Sequence, residues 1–332
     1  MRIDIDRSAG AGSGGAKIGR ISQLDNSTLL KLQAGCNYIN AEIAKVRSRV
    51  LMVAIGCAIL GAGLYAHLYR RNMRDPRLPI GGAVAIIVGY AAYQHRELSK
   101  KYKSIVVTRV VAALGEGLSY SPHSRFTKQD FLDMDLFEKR CEKWHAEDEI
   151  CGKKNAVGYS ILEAKATRTE GSGRNRRTVT IFKGLIVRLD FNKNFGGHTV
   201  VVPDAESKIL GGLFGESETR RRKDIARLEN IAFEKLFSVY CTDQQEARYL
   251  LTPKMMELVM EAQTSLGVQI RLSFHDNSVF LTVPQDADRF EVHLFGRKVS
   301  PELVVGDLAE VVRLAERLLD TLELETRIWT RV

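Results

Sequence analysis

"MVAIGCAILGAGLYAHLYRRNMRDPRLPIGGAVAIIVGYAAY", residues 52–93, sets two apolar runs on either side of one arginine-rich knot. Either this pair crosses a membrane or it is a helical hairpin inside a water-soluble core, and that choice governs how the rest of the chain is read. From Val50 to Tyr69, twenty consecutive residues carry no formal charge. At about 1.5 Å per residue they span roughly 30 Å, the thickness of a bilayer's hydrocarbon core. Leu78 to Tyr93 offers sixteen. At roughly 24 Å that run is short, and it crosses only by thinning the bilayer or by snorkelling its basic flanks.

Two patterns favour the membrane. Small residues recur every fourth position, at Ala54, Ala58, Ala62 and Ala66 in the first run and Gly81, Ala85 and Gly89 in the second. Such seams let helices approach closely in lipid, whereas glycine-rich helices hold water-soluble cores poorly. Tyrosines sit at opposite ends of the runs, Tyr65 and Tyr69 by the knot and Tyr90 and Tyr93 at the far exit, as an aromatic belt requires. The outer flanks carry Lys45, Arg47, Arg49, Arg96, Lys100, Lys101 and Lys103 against Arg70, Arg71, Arg74 and Arg77 in the knot. The positive-inside rule then places both termini in the cytoplasm, as a multi-pass protein of the cell inner membrane.

Helical spacing continues beyond both runs. Leu29, Leu32, Cys36, Ile39, Ile43, Val46 and Val50 alternate steps of three and four after Ser27, an expected N-cap. Leu98, Tyr102, Val106, Val110, Leu114 and Leu118 continue downstream until "SYSP" stops them. The expected architecture is an α+β membrane protein. A flexible Gly/Ser-rich tail occupies residues 1–26. A long helical hairpin over 27–118 carries transmembrane segments 50–69 and 78–93 and a paired cytoplasmic stalk, and a mostly antiparallel α+β domain fills 119–332.

The 332 residues, 45% hydrophobic and 27% charged, are ample for such a domain. A net charge of +9 favours anionic partners without choosing among nucleic acid, acidic lipid and acidic protein. Five scattered cysteines show no CxxC and no zinc spacing, so they read as reduced thiols. The N-terminus lacks a secretory leader's apolar stretch. "GAGSGG" at 10–15 matches GxGxxG, but only "RIDID" precedes it, too short and too charged for the buried strand a dinucleotide site needs. It reads as a tail in which a targeting address is the open alternative.

After Pro122 the texture turns to short β-like runs. "YSILEAKATRT" and "RTVTIFKGLIVRLDF" flank the turn-rich "EGSGRN" and read as a long hairpin, followed by strands in "GHTVVVPD" and "FEKLFSVYCTD". "VQIRLSF" and "SVFLTVP" form a second hairpin about "HDN". A helix runs from Thr252 as N-cap and Pro253 to Gly267, and a last helix begins at "SPELV" with Val304, Leu308, Val311, Ala315, Leu318 and Leu322 on one stripe.

"AEDEICG" at 146–152, "FKGLIVRLDFNKNFGGHTVVVPD" at 182–204, "LENIAFEKLFSVYCTDQQEARYLLTP" at 228–253 and "IRLSFHDNSVFLTVP" at 270–284 resemble a family of bacterial membrane proteins with no assigned function. Some of its members carry the label "galanin". The resemblance covers most of residues 100–295, after the expected pair of spans, and implies a tethered cytoplasmic domain. It brings no catalytic residues to carry over.

The densest polar word is "LDFNKNFGGH". Asp190 and His198 can serve as an acid/base pair, or with Asp204 as metal ligands. The structural alternative puts Asp190 and Asn192 on one strand face and makes "NKNFGG" a turn. No nucleophile with a neighbouring base and no phosphate loop accompanies them, so no catalytic, cofactor or metal site is assigned. Cys241 ends a strand, and Asp243 is placed to cap the helix after it. Two basic clusters remain, Arg174, Arg176 and Arg177 at the first hairpin's tip, and Arg220, Arg221, Arg222 and Lys223. Both lack the interleaved aromatics of a nucleic-acid module and suit anionic headgroups or a partner protein. The reading is a non-enzymatic, membrane-anchored interaction or scaffold module with a lipid or protein partner, able to self-associate through its helices and without nucleic acid or cofactor. The alternative is a tethered hydrolase or metal-dependent enzyme built on Asp190, His198 and Asp204.

Overall fold

The computed structural model describes residues 25–71, 77–115, 117–137, 140–154, 157–190, 194–204, 224–285 and 290–326. The glycine-rich tail and the second basic cluster, Arg220 to Lys223, lie outside them, as does the side chain of Arg174.

Helix α1, Asn26–Arg70, is one uninterrupted helix of 45 residues. Its cap is Asp25 rather than Ser27. The Asp25 carboxylate accepts from the backbone N–H of Thr28 at 3.2 Å and also from the Ser27 hydroxyl, so the serine supports the cap instead of forming it. The expected stripe is buried at Leu32, Cys36, Ile39, Ile43 and Val46 and no further along the helix. Beyond that point Leu51, Met52, Ile55, Ile59, Leu60 and Leu64 are exposed. Among the described residues α1 is the one helix long and apolar enough to cross a membrane, and none of its 18-residue apolar window is buried.

Helix α2, Arg77–Tyr102, passes into a π-helical turn, Lys103–Val107, and then into α3, Thr108–Leu114. The stripe Leu98, Tyr102, Val106, Val110 and Leu114 is buried throughout. Its steps are all fours, which drift about 40° per step around a regular α-helix. The wider π turn takes up that drift and keeps the stripe facing inward. Glu42 of α1 pairs with Lys101 at 2.8 Å, and Gly35 lies against Ile105 and Arg109, so the two legs run in opposite directions. The second leg ends at Leu114, four residues short of the expected boundary, and "SYSP", expected to stop the helix, opens a strand.

That strand is β1, Ser119–His123, the edge of a sheet that continues with β2 (Lys143–Lys154), β3 (Val157–Glu170), β4 (Arg177–Asp190), β5 (Thr199–Pro203), β6 (Asp224–Ile225), β7 (Phe237–Cys241), β8 (Arg271–His275) and β9 (Ser278–Pro284). The order is β1-β2-β3-β4-β9-β8-β5-β7-β6, antiparallel throughout. Short helices α4 (Lys128–Asp133), α5 (Ile231–Glu234) and α6 (Gln244–Leu250) connect strands, and α7 (Pro253–Leu266) and α8 (Pro301–Thr326) are longer. "FEKLF" is therefore only partly strand, since its first residues close α5. Thr252 caps α7 by accepting from Met255 N–H, and Gly267 ends it at φ +65°, where a side chain is strained.

The sheet is covered on both faces. On one, Ile161, Val187, Leu272, Phe274 and Leu281 join the stalk stripes and the buried sides of α7 and α8 in one cluster. The stalk is thus part of the domain's core and not a spacer below it. On the other, Phe126, Phe131, Met134 and Phe137 pack over Leu162, Phe182, Ile186 and Phe280.

The direction of the sheet follows from β2. Glu147 and Asp148 meet Lys103, Gly152 abuts Leu118, and Lys154 pairs with Asp320 at 2.6 Å. Moving along β2 therefore follows the second leg away from the apolar segments. By antiparallel pairing, the β3–β4 hairpin end and Pro284 face those segments, and Asp190, His275, Ser278 and His198 lie at the far end.

Candidate functional site

The far end of the sheet carries a polar row. Asp190 pairs with Ser278, Ser278 with His275, and the register of β5 sets His198 beside His275 and before Cys241's neighbour Thr242. Ser278 donates to Asp190 at 3.0 Å, and Arg188 Nε meets the same carboxylate oxygen at 2.6 Å. The imidazoles of His198 and His275 stack with centroids 4.4 Å apart. His198 Nε2 is 3.0 Å from Ser273 Oγ, and His275 is 3.4 Å from Asp276.

Asp190 and His198 thus share one face and one row but are three strand spacings apart, roughly 14 Å. No proton passes between them directly. Asp204 follows Pro203 at the opposite end of β5, roughly 20 Å from His198 at strand rise, and accepts from Ser238 Oγ at 3.0 Å. The three residues expected to converge in the enzymatic alternative are therefore not brought together. Asn192 lies outside the described residues.

The glycines of "NFGGH" have a close-approach role. Gly196 N–H donates to the buried carboxylate of Glu246, and His198 N–H donates to Thr242 Oγ1 at 2.8 Å. A Cβ on Gly197 would stand 2.7 Å from Thr242 Oγ1 and 2.9 Å from Glu246 Oε2. Asp243 caps α6 by accepting from Gln245 and Glu246 N–H, as expected, which aims Glu246 under the loop. Cys241 is buried in the core, where it packs. Cys36 is also buried, and its thiol pKa is pushed up to about 11 by desolvation.

The cluster that the sequence did not single out lies where the stalk meets the sheet. Lys103 Nζ sits 2.9 Å from Glu147, 2.6 Å from Asp148 and 3.0 Å from Glu291. Asp148 is fully buried and also accepts from the Tyr120 hydroxyl, while Ser99 donates to Glu291. A bulge in β2 between Glu147 and Ile150, with Asp148 at φ +57°, turns this carboxylate toward the lysine. Desolvation raises Asp148 to a pKa of about 6 against the lowering pull of Lys103 and Tyr120. Desolvation alone would lower Lys103, but Asp148, Glu147 and Glu291 outweigh it and leave the ammonium above its ordinary range. The three carboxylates offer oxygens within 4.8 Å of one another, a spacing that suits a metal ion. The lysine ammonium already contacts all three, so the donor set is satisfied by an internal cation and binds three parts of the chain together. The word "EDE" was the only signal of it, because Lys103 and Glu291 are far away in sequence.

Of the first basic cluster, Arg177 pairs with Glu170 at 2.7 Å and Arg168 pairs with the same carboxylate, so part of the charge at that hairpin end is neutralised locally. Arg176 is exposed. A cleft of about 480 Å³ among Phe182, Lys183, Gln269, Arg271 and Gln285 is lined by no carboxylate, histidine or thiol.

The comparisons with known proteins give one partial family match. Residues 180–324 match the family described as "Protein of unknown function (DUF3137)". The match starts inside β4 and runs into the last turn of α8, so it takes in the polar row and Glu291 but not Lys103 or the helices that carry the apolar segments. No curated protein matches the chain. Among solved structures, the crystal structure of the mycobacterial trehalose monomycolate transport factor A, TtfA, is similar at a TM-score of 0.35 and 12% identity, over 66% of this chain and 96% of that one.

Proposed function

We propose that the chain is a membrane-anchored interaction module, in which a transmembrane helical hairpin fixes an α+β domain at the cytoplasmic face of the inner membrane and the domain receives a protein or lipid partner. One observation carries the reading. In α1 the exposed apolar segment and the leg buried in the domain's core are a single helix, so whatever holds the segment also holds the domain. Both termini are then cytoplasmic and the knot of arginines lies outside. The second run supports the hairpin through its exposed Ile80, Val84, Ile86 and Val88, beside the matching surface of α1. The far-end row of half-buried polar side chains faces away from the membrane, where a soluble partner meets it.

The enzymatic alternative draws no support from the placement of Asp190, His198 and Asp204. The test is alkaline extraction of membranes from cells producing the full chain. The native chain is expected to stay in the pellet, and Ile55→Arg with Ile59→Arg, on the exposed surface of α1, is expected to release it. A native chain that washes off would end the proposal. Affinity capture of the native chain from membranes, with and without His198→Ala and His275→Ala, then tests whether the far end receives the partner.

A further inference from the structure

At the level where the stalk leaves the domain, residues 293–296 form a tight turn, closed by Gly296 N–H donating to His293 C=O at 3.3 Å. Its two central residues point in opposite directions. Leu294 is buried in the core, and Phe295 is 83% exposed, the most exposed of the large hydrophobic side chains described. The turn is held against both legs. Arg47 Nε donates to Leu294 C=O, His95 Nε2 lies 2.9 Å from Val292 C=O, and Asn40 and Val299 exchange two hydrogen bonds at 2.8 and 3.0 Å. Arg47 also lies over the Phe295 ring, 5.9 Å from its centroid.

This position coincides with the edge of the apolar surface. Burial in α1 ends at Val46 and in α2 it begins at Leu98, while Leu51, Met52 and Tyr93 are exposed. The uncharged run begins at Val50, three residues past Arg47, or about 4.5 Å of helix rise. Arg297 and Lys298 directly follow the turn, and Arg49 and Arg96 are the next basic residues on the two legs; all four are exposed. An exposed aromatic ring under Arg47 and followed by Arg297 and Lys298, at the level where the exposed apolar helix surface begins, has the chemistry of a bilayer interface with anionic headgroups.

We infer that the 293–298 turn is a membrane-interface anchor, with Phe295 seated at the headgroup–acyl boundary and Arg297 and Lys298 on anionic phospholipid headgroups. The inference rests on the anchored reading above and deepens it. The two helices fix the domain's location, and the turn adds a third point of contact that fixes its tilt.

The test uses the full chain reconstituted in vesicles, with lipids brominated near the headgroup end of the acyl chain as quencher and the native chain's emission as baseline. Phe295→Trp is expected to add emission that is blue-shifted and lost in brominated vesicles. Tyr249→Trp, on α6 at the far end of the sheet, is expected to add emission that bromine leaves unchanged. Quenching at position 295 should be deeper in vesicles containing anionic lipid than in purely zwitterionic ones, and Arg297→Glu with Lys298→Glu should abolish that difference. A chain that stays in vesicles through an alkaline wash, with Phe295→Trp unquenched, overturns the inference alone. A native chain that the wash removes overturns the anchored reading and this one with it. Quenching at 295 that is equal in both lipid compositions keeps the insertion of Phe295 and overturns the headgroup role of the basic pair.

Discussion

Replacing Lys103 by Met removes the ammonium that bridges Glu147, Asp148 and Glu291 while keeping the length and apolar body of the side chain. Lys103 and Asp148 are 10% and 0% exposed, so water cannot replace the lost contact to Asp148 without opening the stalk from the sheet. Breaking a buried pair by removing one partner costs about 3–5 kcal/mol, mostly for the charge left behind. For a domain of this size 1 kcal/mol moves the melting temperature by roughly 2–4 °C, so the expected loss is roughly 6–20 °C.

The pH dependence has a definite sign. The folded-state pKa of Asp148 is raised from 3.8 to about 6, so the stability linked to this group is fully present below 3.8 and is lost as pH rises through about 6. That shift is worth about 3 kcal/mol in order of magnitude. Without the ammonium, which lowers it, the Asp148 pKa rises further. The deficit of Lys103→Met should therefore be larger at pH 8 than at pH 5. Asp148→Asn removes the buried charge instead of its partner, should cost less than about 1 kcal/mol because Lys103 retains two carboxylates, and should flatten the stability profile between pH 4 and 6. The assay is thermal unfolding of the detergent-solubilised chain followed by circular dichroism. A Lys103→Met melt within about 2 °C of the native chain at pH 8, or a deficit unchanged between pH 5 and 8, would refute the reasoning.

Other outcomes follow from the same geometry. A thiol introduced at Asn72 should be labelled from outside intact cells by a reagent that cannot cross the membrane, and one at Ser172 should not; labelling of both from the same side rejects the hairpin. Ile39→Asp with Ile43→Asp places two charges in the core shared by stalk and sheet, so protease accessibility of the domain should rise while the chain stays in the membrane pellet. Gly197→Ala should cost about 1–3 kcal/mol, the usual penalty for overpacking, since its Cβ would fall 2.7 Å from Thr242 Oγ1; a melt unchanged from the native chain would show that the loop yields. Thr252→Ala should lose about 1 kcal/mol through the cap of α7, read as a small downward shift in the same melts.

Much of the fold was written locally. The three-and-four spacing from Leu32 to Val46 marks the buried side of α1, because a 3.6-residue period puts those positions on one stripe whatever they face. Twenty uncharged residues after Arg49 mark a run that water-soluble packing does not need. Asp243, Thr252 and Gly267 set helix ends through hydrogen bonds to residues two to four positions away, and Pro253 suits the first helical position through its fixed φ, so their roles were legible too. β1 and β2 were not. "SYSPH" and "KWHAEDEICGKK" lack clean alternation, because a bulge at Asp148 breaks the period and partners as distant as Phe290, stacked on Tyr120, supply the burial.

The sequence by itself determined which long stretches are helical and which carry an apolar surface too long for an ordinary core, because both are set by short-range period and composition. Only the tertiary structure decided the rest. It separated Asp190 from His198 by two intervening strands, gathered Lys103, Glu147, Asp148 and Glu291 from three distant stretches, and turned Phe295 outward at the level of Arg47. Distances between side chains depend on strand order and on how the stalk docks, and both are fixed by burial summed over the whole chain, which no local pattern records.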